Sequence, residues 1–141
     1  MRAVIIYNSL TGTTRKAAHR ISSELRALRI EATPVPIAEV DEATVADVDL
    51  VIVGTWTDGL IVVGQKPAGR KKLRGLPSLA GKKAVVYCTY AVDPGQTLEK
   101  LVAEVEAKGA EVIGGFALAR HDLNSDVAEF VDRLTPALTA S

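Results

Sequence analysis

The chain has 141 residues, 48% of them hydrophobic, and its 17 basic and 17 acidic side chains leave a net charge of zero. That length suits one domain, expected to span residues 1–141, and that apolar share fills a two-sided α/β core. One cysteine, Cys88, excludes an internal disulfide and a Cys-rich metal site, and His19 and His121 are too few to argue for a metal. No apolar run approaches the length of a bilayer span and the N-terminus lacks the features of a signal peptide, so the expected location is cytoplasmic, away from membranes.

Residues 3–7 form an apolar run that reads as a buried strand. It empties into Ser9-Leu10-Thr11-Gly12-Thr13-Thr14, after which Ala17, Ala18, Ile21, Leu25 and Leu28 share one face of a helix starting near Thr13. Strand, hydroxyl-rich turn and helix start together make an anion site: the first helical N–H groups have no internal acceptor, and they lie at the positive end of the helix dipole. Ser9, Thr11, Thr13 and Thr14 add hydroxyls, while Gly12 lets the backbone approach an anion. The turn contains no Lys or Arg, so it is expected to hold one phosphate by neutral donors. It matches neither the Walker A lysine loop nor the three-glycine dinucleotide fingerprint.

Residues 31–35 read as a weaker edge strand. The acidic residues Glu39, Asp41, Glu42, Asp47 and Asp49 follow, around a short helix over 43–46. Residues 50–53 are a third strand, running into Gly54-Thr55-Trp56-Thr57-Asp58-Gly59 and then the apolar stretch Leu60, Ile61, Val62 and Val63. The basic residues Lys66, Arg70, Lys71, Lys72, Arg74, Lys82 and Lys83 come next, with a short helix over 68–74 weakened by its glycines. A fourth strand at 84–87 leads through Cys88, Thr89, Tyr90 and Ala91 to the turn Val92-Asp93-Pro94-Gly95, then to a helix that carries Leu98, Leu101, Val102 and Val105 and stops at Gly109. A fifth strand at 112–118 precedes a last helix with Val127, Phe130, Val131, Leu134 and Leu138, capped by Asn124 or Ser125.

Strands alternating with helices imply right-handed crossovers and a parallel sheet covered on both faces. Ligands in such sheets bind beyond the carboxyl ends of the strands at the switch point. The loops after the third and fourth strands each carry one aromatic, Trp56 and Tyr90, in a chain only 4% aromatic, and both should flank the crevice of the phosphate turn. Aromatic walls suit a flat ring.

The stretch Ser9-Leu10-Thr11-Gly12-Thr13-Thr14, placed right after the first strand, resembles the S/T-x-T-G-x-T phosphate loop of flavodoxins. The resemblance covers essentially the whole chain and is to the short-chain members. It implies a flavodoxin-like three-layer sandwich with five parallel strands in the order 2-1-3-4-5. It also implies FMN as cofactor, held by that turn and by two ring loops, Thr55, Trp56, Thr57, Asp58 and Gly59 after the third strand and Thr89, Tyr90, Ala91 and Asp93 after the fourth.

The implied function is electron transfer between a flavin reductase and an acceptor redox enzyme, with no catalytic acid–base residue required. Alternatives are a small FMN-dependent NAD(P)H:quinone-type oxidoreductase and a flavin-free interaction module. By analogy, the Asp58-Gly59 peptide is the candidate for rotation toward the flavin N5, and the Asp58 charge would disfavour an anionic reduced ring. The balanced charge departs from the acidic surface usual in flavodoxin carriers. The basic run is therefore read as a solvated face or as a surface for an acidic partner, a nucleotide phosphate or nucleic acid, the last not being expected as a partner. Leu60 to Val63 would pack under the flavin or form an exposed partner patch. Cys88 reads as a small buried hydrophobe.

Overall fold

Alternation of buried side chains along the first strand sets the architecture. In β1 (Arg2–Tyr7), Ala3, Ile5 and Tyr7 join one apolar cluster while Val4 and Ile6 join another on the opposite face. A strand buried on both sides belongs in the middle of a parallel sheet. The computed structural model describes residues 1–59 and 64–139, and in it β1 pairs with β2 (Glu31–Pro36) on one side and β3 (Leu50–Asp58) on the other. Beyond β3 come β5 (Lys83–Tyr90) and β6 (Glu111–Ala119), so the parallel path runs β2-β1-β3-β5-β6. The intervening β4 (Lys66–Pro67) is a two-residue strand lying antiparallel on the end of β3, with Thr57 opposite Pro67 and Asp58 opposite Lys66. The expected order 2-1-3-4-5 is this path with β4 set aside.

The edge position of β2 suits its two prolines, Pro34 and Pro36, which have no N–H to give to a second neighbour. Helix α1 (Thr13–Ala27) buries Ala17, Ala18, Ile21 and Leu25 on the face it shares with α5 (Leu123–Thr139), whose Val127, Phe130, Val131 and Leu134 complete that layer. The opposite layer is α2 (Glu42–Ala46), α3 (Arg70–Arg74) and α4 (Thr97–Glu106), contributing Val45, Leu73, Leu101 and Val105 over Val51, Val53 and Val86. Helix α2, only five residues long, is fixed by reciprocal capping: the Thr44 amide donates to the Asp41 carboxylate at 2.9 Å and the Asp41 amide to the Thr44 hydroxyl at 3.0 Å. Among the described residues no helix is long and apolar enough to cross a membrane.

Four boundaries differ from the sequence expectation. The residues placed in loops at 55–58 and 88–90 are the last residues of longer strands, because ladder pairing continues through Trp56 opposite Thr89 and Tyr90 opposite Ala119. Asn124 and Ser125 lie inside α5 rather than capping it, since a 3₁₀ turn at Arg120–Asp122 runs straight into Leu123. Helix α3 starts at Arg70, after Gly69 has taken a left-handed φ of 72°. The apolar stretch Leu60 to Val63 lies outside the described residues.

Candidate functional site

Parallel strands with the order above all point their carboxyl ends to one rim, and β1 and β3 meet there at the switch point. The chain leaves β1 still attached to β3, with the Asn8 amide donating to the Gly54 carbonyl at 2.9 Å. The Ser9 hydroxyl then closes the following turn by accepting from the Gly12 and Arg15 amides, both at 3.2 Å. At Gly12 the backbone has φ 98°, yet an added Cβ would meet nothing within 4 Å. Glycine is thus required for its conformation rather than for space. The Thr13 and Thr14 amides, first in α1, have no acceptor among the described residues and remain available to a ligand.

A slot of about 170 Å³ opens beside this turn, lined there by Leu10, Thr11, Thr13 and Thr14. Trp56 and Thr57 from β3 form another wall, and Thr89, Tyr90 and Ala91 from the end of β5 form a third. Sequence reasoning proposed all nine, and the fold gathers them from three segments into one cavity. The wall is braced from behind. The Thr14 and Thr89 hydroxyls bond to each other at 2.8 Å, and the buried Tyr87 hydroxyl donates to the Thr14 carbonyl at 3.1 Å. The Thr57 hydroxyl is buried in this wall without a hydrogen bond of normal geometry. It lies near the Cys88 thiol, whose pKa burial pushes up to about 12 against a smaller downward pull from Thr57. Burial, seconded by the Asp126 carboxylate, also raises the Tyr90 phenol.

The other proposed residues sit elsewhere. Ser9 is spent on closing the turn, and Gly12 faces a larger neighbouring cavity. Thr55 is fully buried; its hydroxyl donates to the Ala68 carbonyl at 2.8 Å and accepts from the Asn8 side-chain amide at 3.2 Å, so it anchors the approach to α3. Asp58 and Gly59 do not line the slot: the Asp58 carboxylate accepts from the Gly59 amide at 2.9 Å, holding that peptide in one orientation at a glycine with φ 93°. Asp93 is exposed and caps a turn through the Gly95 amide at 2.8 Å, while its carbonyl accepts from the Gln65 side chain. Lys100 in turn donates to the Gln65 carbonyl at 2.8 Å, which ties the segment before β4 to α4.

One lining residue was missed. Among the described residues Arg120, in the turn after β6, is the only charged side chain bordering the slot, and it adds a cation beside a turn that itself carries no Lys or Arg. Nothing in the local sequence distinguishes it from an ordinary solvated arginine, since the turn it approaches lies over a hundred positions earlier. The basic run, by contrast, is partly neutralised: Arg70 and Arg74 both reach Glu104 of α4, at 3.5 and 3.1 Å, and Lys82 donates to the Ala46 and Val48 carbonyls at 3.0 Å. Among the described residues no cluster of His, Cys, Asp and Glu is arranged to hold a metal.

These features define a doubly wound α/β protein of the flavodoxin-like class, with a hydroxyl turn and two aromatic side chains meeting at the switch point. A family model described as a flavodoxin domain matches residues 4–139, and the chain belongs to that family. Among solved structures, a cysteine-to-serine mutant of flavodoxin from Pseudomonas aeruginosa aligns with TM-score 0.76 and 22% identity over 99% of each chain. Two-electron reduced flavodoxin from Megasphaera elsdenii aligns with TM-score 0.70 and 22% identity, over 90% of this chain and 96% of the other. Oxidised flavodoxin 1 from Bacillus cereus gives 0.65 and 22%, over 94% and 98%. No curated protein sequence matches the chain significantly.

The cofactor of this family is FMN, and the residues present fit it. Free amides and hydroxyls at the start of α1 suit a phosphate, an unpartnered buried hydroxyl at Thr57 suits a polar ligand atom, and Trp56 and Tyr90 suit the two faces or edges of a ring.

Proposed function

We propose that this chain is an FMN-binding electron carrier that passes electrons between a reductase and an acceptor enzyme. The observation that supports it best is one slot joining the phosphate turn, Trp56 and Tyr90, with no carboxylate or imidazole among its described wall residues to serve as a general acid or base. FMN, when bound, supplies reversible one- and two-electron chemistry. The chain's own work is binding and orientation. Thr11, Thr13 and Thr14 hold the phosphate end, the aromatics hold the ring, and the Thr14–Thr89 bond keeps the two ends in register.

The test is a titration of folded protein with FMN, followed by flavin fluorescence. Saturable binding at micromolar concentration or tighter is expected, with riboflavin weaker for want of the phosphate. No binding by a folded sample would sink the proposal. The quinone-reductase alternative is set apart by kinetics: FMN-loaded protein mixed with NADH or NADPH alone is expected to be reduced slowly, and rapid direct reduction with quinone turnover would favour the enzyme instead.

A further inference from the structure

Adjoining the slot, and sharing Thr11, Thr13 and Arg120 with it, lies a second and larger open cavity of about 650 Å³. Thr11, Gly12 and Thr13 form the wall it shares with the turn. Its other lining brings together three basic side chains from opposite ends of the sequence: Lys16 from α1, and Arg120 and His121 from the turn before α5. One acid, Asp122, stands against them. Arg120 borders both cavities, so it sits at the junction between the ring slot and this one. Among the described residues neither Lys16 nor Arg120 has an ion pair or a side-chain hydrogen bond, in contrast to Arg70 and Arg74, whose charge Glu104 absorbs. Lys16 and Arg120 are both exposed on the lining of one cavity without an acidic partner; such a lining suits an anion, and a planar guanidinium suits a phosphoryl group. The lining offers few apolar side chains, Leu123 chief among them, so it suits a phosphate and sugar better than a second flat ring.

We propose that this cavity is a second anion subsite that binds a phosphoryl group next to the flavin phosphate. The inference rests on the FMN reading above, which places the first phosphate on the shared turn. A phosphoryl group at that position has two sources: the adenylate half of a flavin dinucleotide, joined covalently to the flavin phosphate, or a separate phosphate ester. With the first source the protein accepts FAD about as well as FMN.

The experiment compares FMN and FAD titrations of the wild-type protein and of Lys16→Gln, read by flavin fluorescence, and adds AMP to the FMN-loaded protein while the His121 imidazole resonance is followed by NMR. Support for the dinucleotide source is FAD binding within about threefold of FMN, with Lys16→Gln weakening FAD about fivefold, the scale of one exposed charge contact, and FMN less than about twofold. Support for the separate ester is a saturable AMP-dependent shift of His121 that Lys16→Gln weakens, with FAD bound poorly. FAD bound poorly and no AMP-dependent shift would overturn the subsite. If neither flavin binds, the proposed function fails, and AMP titration of the flavin-free protein by the same resonance still decides the subsite.

Discussion

Trp56 is the chain's one tryptophan and it lines the slot, so bound flavin is expected to quench its fluorescence. Replacing it with Ala should weaken FMN binding by about 1–3 kcal/mol, from lost aromatic burial and stacking, as measured by titration of the folded variant. Unchanged affinity would move Trp56 out of the site. Cys88 makes the opposite kind of prediction. Its thiol is buried and its pKa is pushed up to about 12, so the folded protein should resist alkylation at pH 8 while the unfolded chain reacts. The same shift sets a pH dependence. The unfolded thiol releases its proton near its ordinary value of 9.0 and the folded one only near about 12. The folded state therefore holds more protons between those values, and the stability this gives, fully present below pH 9, is lost as pH rises through the interval. Denaturation midpoints measured at pH 8, 10 and 11 check this, and a flat profile over that range would contradict it.

Between elements, the contact that matters most to the site joins β5 to the start of α1. The Tyr87 ring lies directly over Gly54, where any Cβ would overlap it, and its hydroxyl reaches across to the Thr14 carbonyl. Gly54→Ala is therefore expected to cost about 1–3 kcal/mol through overpacking, read from urea denaturation. Tyr87→Phe should cost about 1 kcal/mol and loosen the phosphate turn, so FMN affinity falls while the fold survives. The strands and helices themselves were legible in the sequence. Apolar runs marked β1, β3, β5 and β6, helical spacing marked α1, α4 and α5, and the hydroxyl turn marked the passage from β1 into α1. What periodicity did not carry was the length of β3 and β5. Their last residues, from Thr55 and Cys88 onward, are polar or mixed in character, and only pairing with neighbours distant in sequence makes them strand. Strand β4 is two residues long and exists only because β3 offers it an edge. Arg120 was hidden for a related reason, since its place at the slot is set by tertiary closure and not by any neighbour in the chain.

For the molecule as a whole, net neutrality conceals an uneven surface. Arg70 and Arg74 are engaged by Glu104, whereas Lys66, Lys71 and Lys72 of the basic run make no ion pair among the described residues, and Lys66 lies on β4 against the end of β3. If this face receives an acidic partner, the rate at which a reductase reduces the FMN-loaded protein should fall as salt is raised and fall again in Lys71→Gln/Lys72→Gln. A rate indifferent to both would remove the basic run from the interface and leave Leu60 to Val63, outside the described residues, as the next surface to test.

The central place of β1 also bears on how the protein is made. Its partner β2 is complete by Pro36, but its other partner, β3, is complete only at Asp58, and β3 in turn waits for β5 at Lys83–Tyr90. A chain emerging from the ribosome therefore carries, at every stage before β6, an apolar strand whose next neighbour has not yet been synthesised. Assembly of such a sheet is paced by long-range pairing rather than by local turns. Expression at lowered temperature, or with a chaperone that shields nascent strands, is accordingly expected to raise the yield of folded protein over aggregate.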